Sequence, residues 1–172
     1  MSTPLKTSTD GILPDVLAHD LRLVFCGTAA GTRSAQVGAY YAGPGNKFWR
    51  TLAAVALTPR VLAPLEFRSL VDYGIGLTDI NKTQSGGDNQ LTRAGFDAAR
   101  LRARIEHYAP RVLAFTGKRS ASEFFGAPVR TYGRQPVTIA ATEIFVLPST
   151  SGAASGFWDL APWQALAAYV SS

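Results

Sequence analysis

The chain of 172 residues, 47% hydrophobic and 17% charged, has the length and composition of one globular domain, and no apolar run of about 18 residues could span a bilayer. One cysteine and two histidines, Cys26, His19 and His107, are too few for a four-ligand zinc or iron–sulfur site, so neither a metal nor a redox cofactor is expected. The net charge of +5 suits a polyanionic partner without identifying one. The opening segment MSTPLKTSTDGILPDVL lacks the apolar stretch of a secretory signal, and Cys26 has no disulfide partner; both point to a cytoplasmic protein.

Residues 1–10 are polar and expected to be flexible, with a single domain over 11–172. Arg22 to Thr28 (RLVFCGT) is a short apolar run ending in a Gly-rich turn, which predicts a buried strand. From Asn46 onward, Phe48, Leu52, Val55 and Ala56 share one helical face until Pro59 stops the run. Asn46 is expected to cap that helix or hold its loop. A further helix is predicted from Pro64 to Gly74, followed by a strand in GIGLTDI with Asp79 near its carboxyl end. The polar NKTQSGGDNQ reads as a loop. Asp97 is placed to cap a helix whose Leu101, Ile105 and Tyr108 form one face, with Arg100, Arg102 and Arg104 read as solvated, before Pro110 ends it. RVLAFTG is a third strand, KRSASEFFG a short helix closing at Gly126, TIAATEIFVLPST one or two strands, and DLAPWQALAAYV a terminal helix.

Strands alternating with helices predict a mostly parallel sheet covered on both faces, whose ligand sites lie beyond the carboxyl ends of its strands. Three segments occupy such positions: GTAAGTRSAQVGAYYAGPGNKFW, LTDINKTQSGGDN and LPSTSGAASGFW. Gly27 and Gly31 give the first a tight turn, but it is neither a P-loop, since no Gly-Lys-Ser/Thr follows, nor a GxGxxG fingerprint. An unrelated enzyme binding nucleotide phosphates therefore ranks low.

Taken in order, FCGTAAG, YAGPGNKFW, GIGLTDI, LAFTGK and VLPSTSGAA resemble the mismatch-specific uracil-DNA and thymine-DNA glycosylases over roughly residues 20 to 170. The resemblance implies a three-layer α/β/α sandwich with a short, mostly parallel central sheet. It also implies removal of uracil, or of other damaged or mismatched pyrimidines, by hydrolysis of the N-glycosidic bond after base flipping, leaving an abasic site. The implied partner is DNA, double- and also single-stranded. No cofactor, membrane or obligatory protein partner is implied, and the expectation is a monomer associated with the bacterial nucleoid during repair.

Carried over residue by residue, the resemblance places Tyr41 where an aromatic ring stacks on the extruded base, with Tyr40 as the adjacent alternative. Gly27, Thr28 and Ala29 would line the pyrimidine edge, and Ser34 would screen its 5-position. Ala29 stands where the family carries a water-positioning Asn, and an alanine cannot orient water. The best-placed substitute is Asp79, whose carboxylate could both accept a proton from water and stabilise a sugar cation. Asp88 is the second choice, and Asn81 could orient water without being a base. Ser149, Ser151, Gly152, Ala153 and Ala154 would approach the DNA, with Lys118 and Arg119 near phosphates. The small side chains of that last loop predict weak wedging between bases and comparatively good handling of single-stranded uracil. Lys82 raises the thought of a Schiff-base lyase, but hydrolysis alone is preferred. The competing reading is a non-catalytic damage reader that kept the pocket and lost the chemistry with Ala29.

Overall fold

A computed structural model describes residues 11–172; the segment 1–10, expected to be flexible, lies outside them. Five strands form one sheet in the order β2-β1-β3-β5-β4. They are β1 (Leu23–Gly27), β2 (Ile75–Asp79), β3 (Val112–Phe115), β4 (Gly133–Ile139) and β5 (Thr142–Val146). The first three and β5 run parallel, whereas β4 pairs antiparallel with β5 through a tight turn at Ala140 and Ala141. The segment read as one or two strands is thus a hairpin, and β4 begins earlier than its apolar pattern suggests, because most of that edge strand is exposed.

Alternation along each central strand builds two cores, as a pleated sheet requires. Leu23 and Phe25, Val112 and Ala114, and Phe145 face one side, where they meet α2 (Phe48–Ala54), the 3-10 segment Pro64–Tyr73 and α5 (Ala161–Ser171). Val24 and Cys26, Leu113 and Phe115, and Ile144 and Val146 face the other, against α3 (Ala98–Tyr108) and α4 (Lys118–Phe125). The result is the expected α/β/α sandwich. A short α1 (Thr32–Val37) follows β1.

Two helices differ from their sequence pattern. The segment Pro64–Tyr73 is 3-10 rather than α. Its buried residues, Phe67 and Leu70, are three apart and so eclipse on one ridge of a three-residue turn, while Leu65 and Val71 are exposed. Helix α2 stops at Ala54, before the expected Pro59, as Ala56 takes a left-handed conformation (φ 63°). Asp97 caps α3 by accepting the Arg100 amide at 2.9 Å, and Asn46 accepts the Phe48 amide at 2.9 Å, as expected of both. Among the described residues no helix is long and apolar enough to cross a membrane.

Candidate active site

Because four strands are parallel, their carboxyl ends and the loops after them gather at one end of the sheet. There Gly27, the last residue of β1, pairs with Asp79, the last residue of β2. The absence of a side chain at Gly27 lets other groups approach its backbone closely. A Cβ there would lie 2.7 Å from Asp79 Oδ1, 3.1 Å from the Tyr41 hydroxyl and 3.4 Å from Thr116 Oγ1. Three polar groups from three segments therefore converge on the space that a methyl group would fill.

Tyr41 reaches this point from a backbone conformation that non-glycine residues rarely adopt (φ 53°), which costs on the order of 1 kcal/mol and must be held by its surroundings. An aromatic stack holds it. Its ring lies on Phe48 with centroids 3.9 Å apart and planes 16° from parallel. Phe25 and Trp49 meet Phe48 edge-on, and the Trp49 indole N–H donates to the Tyr40 carbonyl at 3.0 Å. The Tyr41 and Thr116 hydroxyls are 3.0 Å apart. Thr116 Oγ1 also lies 3.4 Å from the Cys26 carbonyl, which ties this pair of hydroxyls to the end of β1.

Asp79 is 4% exposed, and burial pushes its carboxyl up to about 6. Lys82 pulls the other way, Asp15 adds to the rise, and the Gly27 backbone lowers it. Burial also drives the Tyr40, Tyr41 and Cys26 groups well above their ordinary values, with the Asp79 charge adding to each. These three stay neutral around the carboxylate.

Beneath Asp79 lies a charged floor that the sequence did not reveal. Asp15 precedes β1 and is held near β2 by the Val16–Leu77 bridge. Its carboxylate accepts from Thr78 Oγ1 at 2.6 Å and pairs with Lys82 Nζ at 3.0 Å and Arg100 at 2.5 Å. Burial raises the Asp15 carboxyl, but Lys82, Thr78 and Arg100 together outweigh it and hold the group below the ordinary range. Arg100, expected to be solvated, is instead partly buried and ion-paired with Asp15. Lys82 is engaged by Asp15 and by the Tyr40 hydroxyl at 3.0 Å.

The remaining nominated residues separate into those near this point and those committed elsewhere. The Gly27, Thr28 and Ala30 carbonyls accept the Ile80, Asn81 and Gly86 amides at 2.9 to 3.0 Å, so the turn bearing Ala29 is stitched to the loop after β2. The Ser34 hydroxyl is buried and accepts the Ala42 amide at 3.0 Å. The Asn81 side chain bonds within its own loop, to Thr83 and Gln84. Asp88 sits on an exposed turn, its side chain 63% accessible and 3.9 Å from Arg119, away from the groups around Gly27. Arg119 also pairs with Glu123 at 3.0 Å, whereas the Lys118 ammonium stands over the Tyr132 ring at 4.4 Å.

In the last loop, Ser149 accepts the Ser151 amide and Ser151 the Ala153 amide, both at 3.2 Å, shaping a 3-10 turn over Gly152–Phe157. Gly152 packs against Gly45, and Lys47 donates to Ser155 at 2.9 Å, so this loop and the one after Tyr41 touch. The turn ends in Phe157, 78% exposed. The small residues 152–154 are present as expected, but the turn does not lack apolar bulk. Phe157 falls within the segment LPSTSGAASGFW but was not among the residues singled out in it. Thr116 stands just after β3 as Thr28 does after β1, and the same rule could have nominated it. Among the described residues no three His, Cys, Asp or Glu side chains cluster closely enough to hold a metal ion.

The fold is an α/β sandwich with a cluster of polar groups from three segments at the carboxyl edge of its sheet. The chain belongs to the uracil DNA glycosylase superfamily, whose family model matches residues 14–168. It is also similar in structure to a Methanosarcina acetivorans protein, solved by solution NMR and described as a candidate uracil DNA glycosylase. That likeness has a TM-score of 0.59 at 22% identity, covering 93% of this chain and 97% of the other.

Proposed function

We propose that the protein is a DNA glycosylase that excises uracil, favouring mismatched positions, through hydrolysis by a water molecule that Asp79 activates in place of the amide missing at Ala29. The observation that carries this reading is the convergence of Asp79, Tyr41 and Thr116 on Gly27. A flipped nucleotide would lay its base beside Tyr41, whose ring is already fixed from behind by Phe48. Ser34, with its hydroxyl held by the Ala42 amide, would limit room for a 5-methyl group.

As the glycosidic C–N bond breaks, its electron pair leaves with the pyrimidine nitrogen and positive charge grows on the sugar. Asp79 accepts a proton from water as the water oxygen bonds to the anomeric carbon, and its negative charge stabilises the cation that forms. A carboxyl that titrates near 6 is mostly ionised at neutral pH and remains a competent base. Lys82, engaged by Asp15 and Tyr40, is not free to attack the sugar, which supports hydrolysis without strand cleavage. The monomeric chain would act without a cofactor, and mispaired uracil would be favoured because its extrusion costs least.

The test uses oligonucleotides with uracil opposite guanine, opposite adenine or in a single strand, incubated with chelator and then treated to cleave abasic sites. Release is expected in the wild type, and Asp79→Ala should lower it by about a thousandfold or more. Loss of activity in Asp88→Ala with Asp79→Ala unaffected would overturn the assignment. Tight binding of uracil DNA without release by the wild type would identify a damage reader instead.

A further inference from the structure

Among the described residues five non-glycine positions have a positive φ: Asp20, Tyr41, Ala56, Ala109 and Ala140. An aspartate and three alanines at turns and helix ends tolerate that conformation, whereas a bulky ring does not take it without a cause. Such an angle persists only where the surroundings over-determine it. The ring stack on Phe48 fixes the side chain of Tyr41, but a stack alone does not fix its backbone.

The backbone is held on both sides. The peptide before Tyr41 is held by its carbonyl: the Tyr40 oxygen accepts the Trp49 indole N–H at 3.0 Å, and both residues are buried. The peptide after it is held by its amide, for the Ala42 N–H donates to the Ser34 hydroxyl at 3.0 Å, and Ser34 too is buried. Ser34 belongs to α1 and Trp49 to α2, so the two holders come from the helices that flank the loop. The two soft rotations of Tyr41 lie between these peptide planes, and neither can relax while both hydrogen bonds last. Tyr40 cannot turn to compensate. Its hydroxyl accepts from Lys82 Nζ and donates to the Pro14 carbonyl, both at 3.0 Å.

We propose that Trp49 and Ser34 are positioning residues of this site: by gripping the peptide groups on either side of Tyr41 they keep its ring on Phe48 and its hydroxyl beside Gly27, ready for a flipped base. The proposal rests on the reading of Tyr41 as the base-stacking ring. Both residues act through Tyr41, so their loss matters only while Tyr41 is present.

The experiment measures single-turnover uracil release from duplex oligonucleotides and the ring-proton NMR signals of Tyr41, in the full chain, for the wild type, Trp49→Phe and Ser34→Ala. Release is then repeated in a Tyr41→Ala background. Trp49→Phe keeps an aromatic ring and loses only the N–H donor, while Ser34→Ala leaves the Ala42 amide without its acceptor. Each is expected to slow release about tenfold, the scale of one buried hydrogen bond. Each should also move the Tyr41 ring signals from the upfield positions that stacking on Phe48 imposes toward ordinary tyrosine values. In the Tyr41→Ala background neither change should slow release further by more than about twofold. General damage to the core would cost the same factor with or without Tyr41, and that result would overturn the proposal, as would Tyr41 signals unmoved in both single variants. If Trp49→Phe does not fold, Ser34→Ala decides by the same two measures. Release at the wild-type rate in Tyr41→Ala alone would defeat the reading of Tyr41 as the stacking ring, whereas unmoved ring signals would defeat the grip of Trp49 and Ser34 upon it.

Discussion

The floor of the site and its rim are built on opposite terms. In the floor, Asp15, Thr78, Asp79 and Lys82 are all buried, and among the described residues no buried side-chain nitrogen or oxygen lacks a partner. In the rim, Gly152–Phe157 has no buried residue, and the hydroxyls of Ser149 and Ser151 serve their own backbone. A buried polar network is costly to rearrange, so it fixes the geometry of the groups within it. An exposed turn of small residues can adapt to a partner and fixes little. Changes in the floor should therefore alter chemistry, pH dependence and stability, and changes in the rim should alter only how DNA is held.

The sharpest separation comes from Asp79 itself. Its carboxyl is raised in the folded state from an ordinary 3.8 to about 6. Folding thus favours the protonated form, and the stability this provides is complete below about pH 3.8 and disappears as the pH rises through 6. At pH 8 the buried charge costs about 3 kcal/mol. Asp79→Asn should therefore raise the stability measured by urea denaturation at pH 8 by an amount of that order, with the gain vanishing below pH 4, even as uracil release collapses. Equal stability changes at both pH values would mean that the carboxylate is not strained by burial. Next in size is Gly27→Ala. A new methyl group 2.7 Å from Asp79 Oδ1 must displace the carboxylate or the Tyr41 hydroxyl. Overpacking of this kind costs about 1 to 3 kcal/mol, and release should fall about a hundredfold because misplaced catalytic groups lose rate steeply. Near-normal turnover would show that the three groups need not meet.

What the sequence made legible follows the same division. The strands were readable because their apolar residues run continuously between turn signals, and Asp79 and the Gly27 turn were singled out because strand ends on a parallel sheet converge, whereas Tyr41 was singled out through the family resemblance; the structure brings the three close together. The floor was not readable, since its pairs join distant segments: Asp15 meets Arg100 across 85 positions, and nothing local marks either as interior. On α3, Arg100 looked solvated because the helical period says which face a residue occupies, not that an isolated carboxylate waits on a neighbouring segment. Phe157 escaped for a different reason. It is one large apolar residue at the end of a turn of small ones, a pattern that describes a core contact as readily as an exposed ring, and only burial distinguishes the two.

Phe157 is the rim residue with the most to lose. An exposed ring on a turn beside the pocket can enter the stack vacated by a flipped base, a contact that single strands do not require. Phe157→Ser should slow release from U·G duplex about tenfold and leave single-stranded substrate within about twofold of the wild type. Equal losses on both substrates would place Phe157 outside DNA holding.

The smallest effect is expected at Lys118. A single phosphate contact changes the dependence of affinity on salt by a slope of about one, and its contribution fades as counterions become plentiful. The Lys118 ammonium stands over an aromatic ring with no carboxylate paired to it among the described residues, whereas Arg119 is already committed to Glu123 and faces Asp88. Lys118→Ala should then weaken binding to uracil duplex a few-fold at about 50 mM salt, reduce the slope by about one and become indistinguishable from the wild type at high salt. Arg119→Ala should leave the slope unchanged, because the charge it removes was already neutralised within the protein. A reversal of the two slopes would mean that Arg119 exchanges its carboxylates for phosphate when DNA arrives, and that the rim rearranges more deeply than its small side chains suggest.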